Sequence, residues 1–175
     1  DSYLGNIPMT TGVVDDHPAS SWSVARYKSL LPRQAHLPEE NQRLWLYFGL
    51  FPNTVIYFYP EKAGFYMSLP QGAATTRVIS REYRLPGENR ELAAVRYLSG
   101  RIDQITGRED HDLVRRLQEA AHTSVFPMNN LSDLEDGVLQ FHQQLKALVP
   151  VMSLEASPAP GTLADVNTTL LNSSS

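Results

Sequence analysis

The chain has 175 residues, of which 42% are hydrophobic and 19% are charged, and its formal net charge is -4. This balance is typical of a soluble globular domain with a core, and it gives no reason to expect a nucleic-acid partner. No apolar run reaches membrane-spanning length and the first residues lack the layout of a signal peptide, so we expect a cytoplasmic protein that binds no membrane. The absence of cysteine excludes disulfides, thiolate nucleophiles and cysteine-based zinc sites.

The first part of the chain, residues 1–40, is predicted to be irregular because prolines and glycines recur along it. These residues are Gly5, Pro8, Gly12, Pro18, Pro32 and Pro38. One short helix is predicted over 21–31, since Trp22, Ala25 and Leu30 recur at helical spacing.

A block rich in aromatic and β-branched residues follows. It predicts four strands separated by short turns, at 44–51, 54–59, 64–69 and 74–85. Such short connections are typical of an antiparallel meander.

After Gly87 the apolar residues fall three or four positions apart, which predicts helices. We expect three of them, at 88–105, 109–122 and 132–148, with Thr106-Gly107 ending the first and a Ser132–Glu135 capping box opening the third. The fold class is therefore α+β, an antiparallel sheet with C-terminal helices. Residues 151–175 are rich in Ser, Thr, Ala and Pro and are predicted to form a flexible tail.

Asp110 is the main candidate for chemistry. Leu113, Val114 and Leu117 follow it at 3, 4 and 7 positions, so Asp110 begins the apolar face of a helix. The opposite face carries Asp112, Arg115, Arg116 and Glu119. A carboxylate directed at an apolar interior is costly unless it is paired, caps the helix or binds a metal. An Asp in a first helical turn is often a cap, and spacing alone leaves both interpretations open.

Three stretches of the chain carry a family resemblance. They are Leu50-Phe-Pro-Asn53, then Glu109-Asp110 with Val114 and Gln118, then Leu131-Ser-x-Leu-Glu135 with Gly137-Val138 and Phe141-His142. In this order and spacing they resemble the catalytic domain of Rieske non-haem iron oxygenase alpha subunits. The chain departs from the family pattern after Gln118, where Glu-Ala-Ala stands in place of x-Gly-Leu.

The resemblance implies a helix-grip (Bet v 1-like) domain, with residues 1–150 as a partial catalytic domain that is incomplete at its N-terminus. It implies that Asp110 is the carboxylate of a two-histidine, one-carboxylate iron site, with Glu109 as its rival. The family supplies the two histidines from an Asp-x-x-His-x-x-x-x-His pattern. None of the five histidines here fits that spacing, so we expect both ligands upstream of Asp1 or in a segment not represented. The histidines are His17, His36, His111, His122 and His142.

The function that the resemblance implies is oxidation of a small organic substrate by dioxygen at mononuclear Fe(II), giving hydroxylation, demethylation or cleavage. Electrons would come from NAD(P)H through a reductase or ferredoxin and a Rieske [2Fe–2S] cluster. That cluster needs two Cys ligands, so this cysteine-free chain does not hold it. The resemblance also implies a homotrimer, in which the Rieske centre of one subunit supplies the iron of its neighbour.

The aromatic residues of the predicted sheet form either its core or part of a substrate pocket. Phe48 and Tyr57 are the candidate substrate contacts. Two other functions stay open: a non-catalytic helix-grip domain that binds an apolar ligand, and a structural subunit of a larger assembly. In the first of these Asp110 would be a helix cap. In the second the aromatic sheet would be an interface, and no inward carboxylate would be needed.

Overall fold

The computed structural model describes residues 2–4, 7–72, 74–121 and 135–173. It divides into two compact units, residues 2–128 and residues 129–175, which are described separately below. The predicted division at residue 150 stays a prediction.

The first unit contains an antiparallel sheet. Within its described residues the sheet has six strands in chain order, each paired with the next. The strands are β1 (Ser2–Leu4), β2 (Ile7–Val13), β3 (Leu44–Leu50), β4 (Thr54–Tyr59), β5 (Lys62–Gly72) and β6 (Thr75–Arg84). The meander predicted from the aromatic and β-branched block is confirmed.

The prediction that residues 1–40 are irregular apart from one helix is wrong for β1 and β2. Proline has no backbone N–H to donate to a neighbouring strand. Pro8 is tolerated in β2 because the pairing of β2 with β3 begins only at Met9. Gly12 lies opposite Trp45, and a Cβ at Gly12 would stand 3.1 Å from the indole ring. This glycine makes room for a neighbouring ring within a strand and marks no turn.

The short helix α1 (Trp22–Leu30) is present as predicted. The hydroxyl oxygen of Ser21 caps it by accepting a hydrogen bond from the Val24 amide at 3.3 Å. The helix packs against α2 (Arg90–Ala121), and Arg101 Nε donates to Ser23 Oγ at 3.2 Å between the two helices.

The core of the first unit lies where α1 and the first half of α2 meet the sheet. Its buried members are Val14, Tyr27, Val95 and Leu98. Leu31, Trp45 and Ile102 pack against it from the edge of the cluster.

Helix α2 is continuous over 32 residues, so the predicted break at Thr106-Gly107 is wrong. The Asn89 side chain accepts a hydrogen bond from the Leu92 amide at 2.8 Å and helps to cap the helix start. A glycine inside a helix costs about 1 kcal/mol relative to alanine. Here the packing of the first half of the helix outweighs that cost. No helix in the described ranges is long and apolar enough to cross a membrane.

The second unit contains α3 (Asp136–Leu148), a 3₁₀ turn (Pro150–Ser153) and α4 (Leu163–Ser173). The predicted third helix is confirmed from Asp136 onward, and Ser132 of the predicted capping box lies outside the described residues. The stretch predicted to be a flexible tail contains α4. The Val151 amide donates to Asn167 Oδ1 at 3.2 Å, which joins the 3₁₀ turn to this helix.

Candidate active site between the sheet and the long helix

One face of the sheet is directed at α2, and we call it the inner face. Because side chains alternate along a strand, the pairing register defines its members. Lys62 identifies this face, since its ammonium group reaches Asp103 on α2. The inner face carries Trp45, Tyr47, Tyr57, Tyr59, Lys62, Gly64, Tyr66 and Glu82.

Lys62 is a fully buried cation that joins the sheet to α2. Its Nζ donates to Asp103 Oδ2 at 2.5 Å and to Glu82 Oε2 at 2.8 Å, and its side chain has no exposed surface. It also lies 5.1 Å from the centroid of the Tyr59 ring. Burial disfavours the charged form of the lysine. The hydrogen bonds that its ammonium group donates to Asp103 and Glu82 outweigh this effect and raise the pKa of Lys62. The ammonium group therefore stays charged.

Glu61, one residue before Lys62 in the turn between β4 and β5, has a buried carboxyl group. Tyr27 Oη donates to its Oε2 at 2.8 Å, and Trp45 Nε1 donates to Tyr27 Oη at 3.1 Å. Its Oε1 is buried and accepts no hydrogen bond from any described residue. Burial raises the pKa of this carboxyl, against the opposing effect of the nearby Ser99 and Tyr27 hydroxyls.

The acidic residues of α2 define how the helix lies on the sheet. Asp103 meets Lys62, and seven residues later Asp110 lies near Tyr66. Burial first and the Asp110 carboxylate second raise the pKa of the Tyr66 phenol.

Asp110 lies on the side of α2 that meets the sheet, and its side chain is exposed. Within the described part of the chain its carboxylate has no hydrogen bond or ion pair. The apolar stripe that follows it is open as well, because Leu113, Val114 and Leu117 are 57%, 63% and 50% exposed. No described residue covers this stripe, contrary to the expectation that it faces an apolar interior.

No three His, Asp or Glu side chains among the described residues form a group able to hold a metal. His111 is exposed on α2, and His17 packs edge-on against Trp45 with ring centroids 5.6 Å apart. His142 lies beside Phe141 on α3, and His122 falls outside the described residues. The carboxylates of Glu109 and Asp112 are also exposed and form no ion pair with the described residues, so Asp110 is distinguished from them by its helical face, which it shares with Asp103.

The two predicted substrate contacts lie on opposite faces of the sheet. Phe48 pairs with Ile56 and packs edge-on against Phe58 on the outer face, with ring centroids 5.9 Å apart. Tyr57 pairs with Tyr47 on one side and Gly64 on the other, on the inner face. The structure therefore brings Tyr57, and not Phe48, to the side of the sheet where Asp110 lies.

The buried charges were missed by sequence reasoning, which placed Glu61 and Lys62 in a turn. Their partners are remote in sequence, since Glu82 and Asp103 follow Lys62 by 20 and 41 residues. One signal for Asp103 was present: it stands seven residues before Asp110 and therefore on the same helical face.

Comparison with known proteins gives a family match over most of the chain. Residues 4–150 match the family model for the ring hydroxylating alpha subunit (catalytic domain). No curated protein and no solved structure matches the chain.

Proposed function

Because the chain belongs to the family of ring-hydroxylating alpha subunits, we propose that it contributes an iron ligand and substrate contacts to a Rieske-type oxygenase. The reaction is oxidation of a small organic molecule by dioxygen, as hydroxylation, demethylation or cleavage. The observation that carries the proposal is the free Asp110 carboxylate on the side of α2 that meets the sheet.

Asp110 is proposed to be the carboxylate ligand of mononuclear Fe(II). A two-histidine, one-carboxylate site has three protein ligands, and the Asp110 carboxylate would supply one of them. The two histidines are proposed to lie outside these 175 residues, because no histidine pair here has the family spacing. When bound, the iron would supply activation of dioxygen, since this ligand set leaves coordination positions open.

The residues of this chain then have separate tasks. Asp110 supplies negative charge and hard oxygen donors for a divalent cation. The Lys62, Asp103 and Glu82 ion pairs fix the helix on the sheet without offering a free ligand. The inner-face tyrosines present aromatic surface and hydroxyl groups on the side of the sheet that α2 faces, which is the composition of a site for an organic molecule.

Electron supply and assembly complete the proposal. Electrons are proposed to pass from NAD(P)H through a reductase or ferredoxin to a Rieske [2Fe–2S] cluster outside these residues. The full-length protein is proposed to be a cytoplasmic homotrimer, in which the cluster of one subunit serves the iron of the next. Whether one or both oxygen atoms enter the substrate depends on that substrate.

The experiment is Asp110→Ala in the full-length protein, with iron counted per subunit and the [2Fe–2S] spectrum recorded alongside. We expect loss of the mononuclear iron with an unchanged cluster spectrum, because two neutral imidazoles hold Fe(II) poorly. Asp112→Ala is the matched control. It is two residues away on the opposite helical face and should keep its iron.

Retention of mononuclear iron and turnover in Asp110→Ala would show that the ligand is another residue, and Glu109→Ala is then the next variant. If neither substitution changes iron content, the non-catalytic ligand-binding domain becomes the better explanation. The expectation that Asp110 lies in a first helical turn, where it could cap a helix, is wrong, because α2 runs without a break from Arg90 to Ala121 and Asp110 lies in its interior.

A further inference from the structure

The inner face of strands β3 to β5 carries all of their indole and phenol rings, which are the side-chain rings that lose an electron most readily. They are Trp45, Tyr47, Tyr57, Tyr59 and Tyr66. The phenylalanine rings of the same strands resist oxidation and lie on the outer face, as Phe48, Phe58 and Phe65. These strands therefore separate oxidisable rings from rings that are not oxidised.

Four oxidisable rings lie in series from the inner face to α1. The ring centroids of Tyr57 and Tyr59 are 5.2 Å apart, and those of Tyr59 and Trp45 are 5.8 Å apart. The Tyr27 ring follows at 6.0 Å from Trp45, and Trp45 Nε1 donates a hydrogen bond to Tyr27 Oη at 3.1 Å. Aromatic rings at these separations are neighbours without an intervening group, so an electron passes readily from one to the next. The series ends at Tyr27, which is fully buried.

Tyr27 differs from the other phenols of the series because its hydroxyl meets a carboxyl group. Tyr27 Oη donates to Glu61 Oε2 at 2.8 Å. Tyr59 shares its hydrogen bond with the Tyr47 hydroxyl, and Tyr57 Oη has no hydrogen bond to any described residue. A phenol that loses an electron becomes a strong acid and gives up its proton as well. Within the described part of the chain, Tyr27 is the one phenol of the series with a base in position to take that proton.

The surroundings of Glu61 favour this proton transfer. Its side chain is fully buried, and Oε1 accepts no hydrogen bond from the described residues. Burial raises the pKa of this carboxyl, against the weaker opposing effects of the Ser99 and Tyr27 hydroxyls and the Lys62 charge. Burial, and then the Glu61 charge, also raise the pKa of the Tyr27 phenol. Tyr27 therefore keeps its proton until an electron leaves, and the proton then has a base within hydrogen-bonding distance.

We propose that Tyr27 and Glu61 form a proton-coupled redox pair that takes up one oxidising equivalent from the inner face through Trp45. A one-electron oxidant of the class that dioxygen activation releases removes an electron from Trp45 and leaves an indole radical cation. Tyr27 then transfers one electron to Trp45 while its hydroxyl proton moves to Glu61. This step restores the indole and leaves a neutral phenoxyl radical beside a neutral carboxylic acid. A soluble one-electron reductant such as ascorbate returns the electron, and the proton returns from Glu61 to Tyr27.

The inference rests on the proposed function only for the source of the oxidant. An oxygenase that activates dioxygen in the absence of its substrate exposes its own side chains to oxidation. The redox pair gives that oxidising equivalent a defined place on α1. The transfer from Trp45 to Tyr27 itself needs no iron, so an external oxidant tests it.

The test is pulse radiolysis of the full-length protein at pH 8 after removal of mononuclear iron by chelation. Trp22→Phe is the parent protein, because Trp22 is 67% exposed and would compete for the oxidant. Azide radicals oxidise indole rings, and transient absorption follows the decay of the indole radical and the growth of the phenoxyl radical. We expect phenoxyl growth at a rate that does not depend on protein concentration and that is slower in deuterium oxide.

Glu61→Gln is the decisive variant. It keeps an oxygen that accepts the Tyr27 hydrogen bond and removes the base, so phenoxyl growth should slow by about a hundredfold, the low end of what a positioned base contributes. Because the substitution removes a buried charge, the variant should fold at least as well as the parent. Tyr27→Phe should abolish the same growth phase.

Tyr83→Phe is the matched control. Tyr83 pairs with Ala63 on the outer face and is 58% exposed, so loss of its hydroxyl should leave the rate of phenoxyl growth unchanged. The inference is overturned if the parent shows no intramolecular phenoxyl growth, if Glu61→Gln is as fast as the parent, or if Tyr27→Phe keeps the growth phase. Iron counting on Asp110→Ala reports separately on the proposed function, because the radicals are followed without mononuclear iron.

Discussion

The buried carboxyl of Glu61 should make the stability of the protein depend on pH, and Glu61→Gln should remove that dependence. The substitution keeps the size of the side chain and an oxygen that accepts the Tyr27 hydrogen bond. It removes the ability to ionise. Glu61 has no exposed surface, and one of its oxygens accepts no hydrogen bond from the described part of the chain, so its charged form is poorly compensated.

The sign of the effect follows from the direction of the shift. Burial raises the pKa of Glu61 in the folded protein, so between the unfolded and folded values the folded state binds more protons. The stabilising contribution of the protonated carboxyl is fully present at pH values below the pKa of Glu61 in the unfolded protein. It is lost as the pH rises through the pKa of Glu61 in the folded protein. Across that window the free energy of unfolding falls by up to about 1.4 kcal/mol per pH unit.

The assay is urea unfolding of the full-length protein and of Glu61→Gln at pH values from 4 to 8. Groups common to both proteins cancel in the difference between them. We expect nearly equal free energies of unfolding at pH 4. At pH 8 the variant should be the more stable of the two, because the wild type then carries a poorly compensated buried charge. Glu40→Gln, at an exposed site, is the reference for removal of a surface carboxylate. A difference for Glu61→Gln that stays constant, or that favours the wild type as pH rises, would refute the reasoning.

Two further predictions concern the anchoring and the continuity of α2. Lys62→Met should destabilise the protein strongly, because it leaves Asp103 and Glu82 without their shared cation. Breaking a buried ion pair costs about 3–5 kcal/mol, and we expect the lower end of this range because both acids are partly exposed. In the same urea unfolding assay Arg33→Ala, which removes an exposed ion pair with Glu39, should change stability far less than Lys62→Met does. Equal effects of the two substitutions would contradict the anchoring role. Gly107→Ala should stabilise the protein by about 0.5–1 kcal/mol, because a Cβ there meets no atom within 4 Å and alanine favours the helix. Destabilisation by Gly107→Ala would contradict a continuous helix at this position and would favour the predicted break at Thr106-Gly107.

The parts of the fold that the sequence predicted correctly depend on local chemistry. The helical spacing of Trp22, Ala25 and Leu30 predicted α1, and the aromatic and β-branched runs between short turns predicted β3 to β6. The misread parts contain glycine or proline whose role depends on a distant neighbour. Gly12 serves the Trp45 ring 33 positions later, and Gly107 lies inside a helix that other residues hold in place.

The sequence supports a proposal for the site only where one residue carries the signal. Asp110 could be proposed because its helical face is visible in the sequence, and Tyr57 was one of two aromatic residues proposed as substrate contacts. The choice between Phe48 and Tyr57 required the strand register, because alternate residues of a strand face opposite sides. The Lys62 network could not be found, since its members come from β5, β6 and α2 and only the fold brings them together.

The position of Asp110 follows from anchoring elsewhere on its helix. Lys62, whose side chain is fully buried, holds Asp103 by an ion pair, and α2 continues without a break through Gly107 to Asp110. A continuous helix transmits the position of one residue to another two turns away, so Asp110 needs no partner of its own to be placed near Tyr66. A carboxylate held in this way keeps its oxygen lone pairs free. A metal ligand requires that property, and a helix cap bonded to its own backbone amides lacks it.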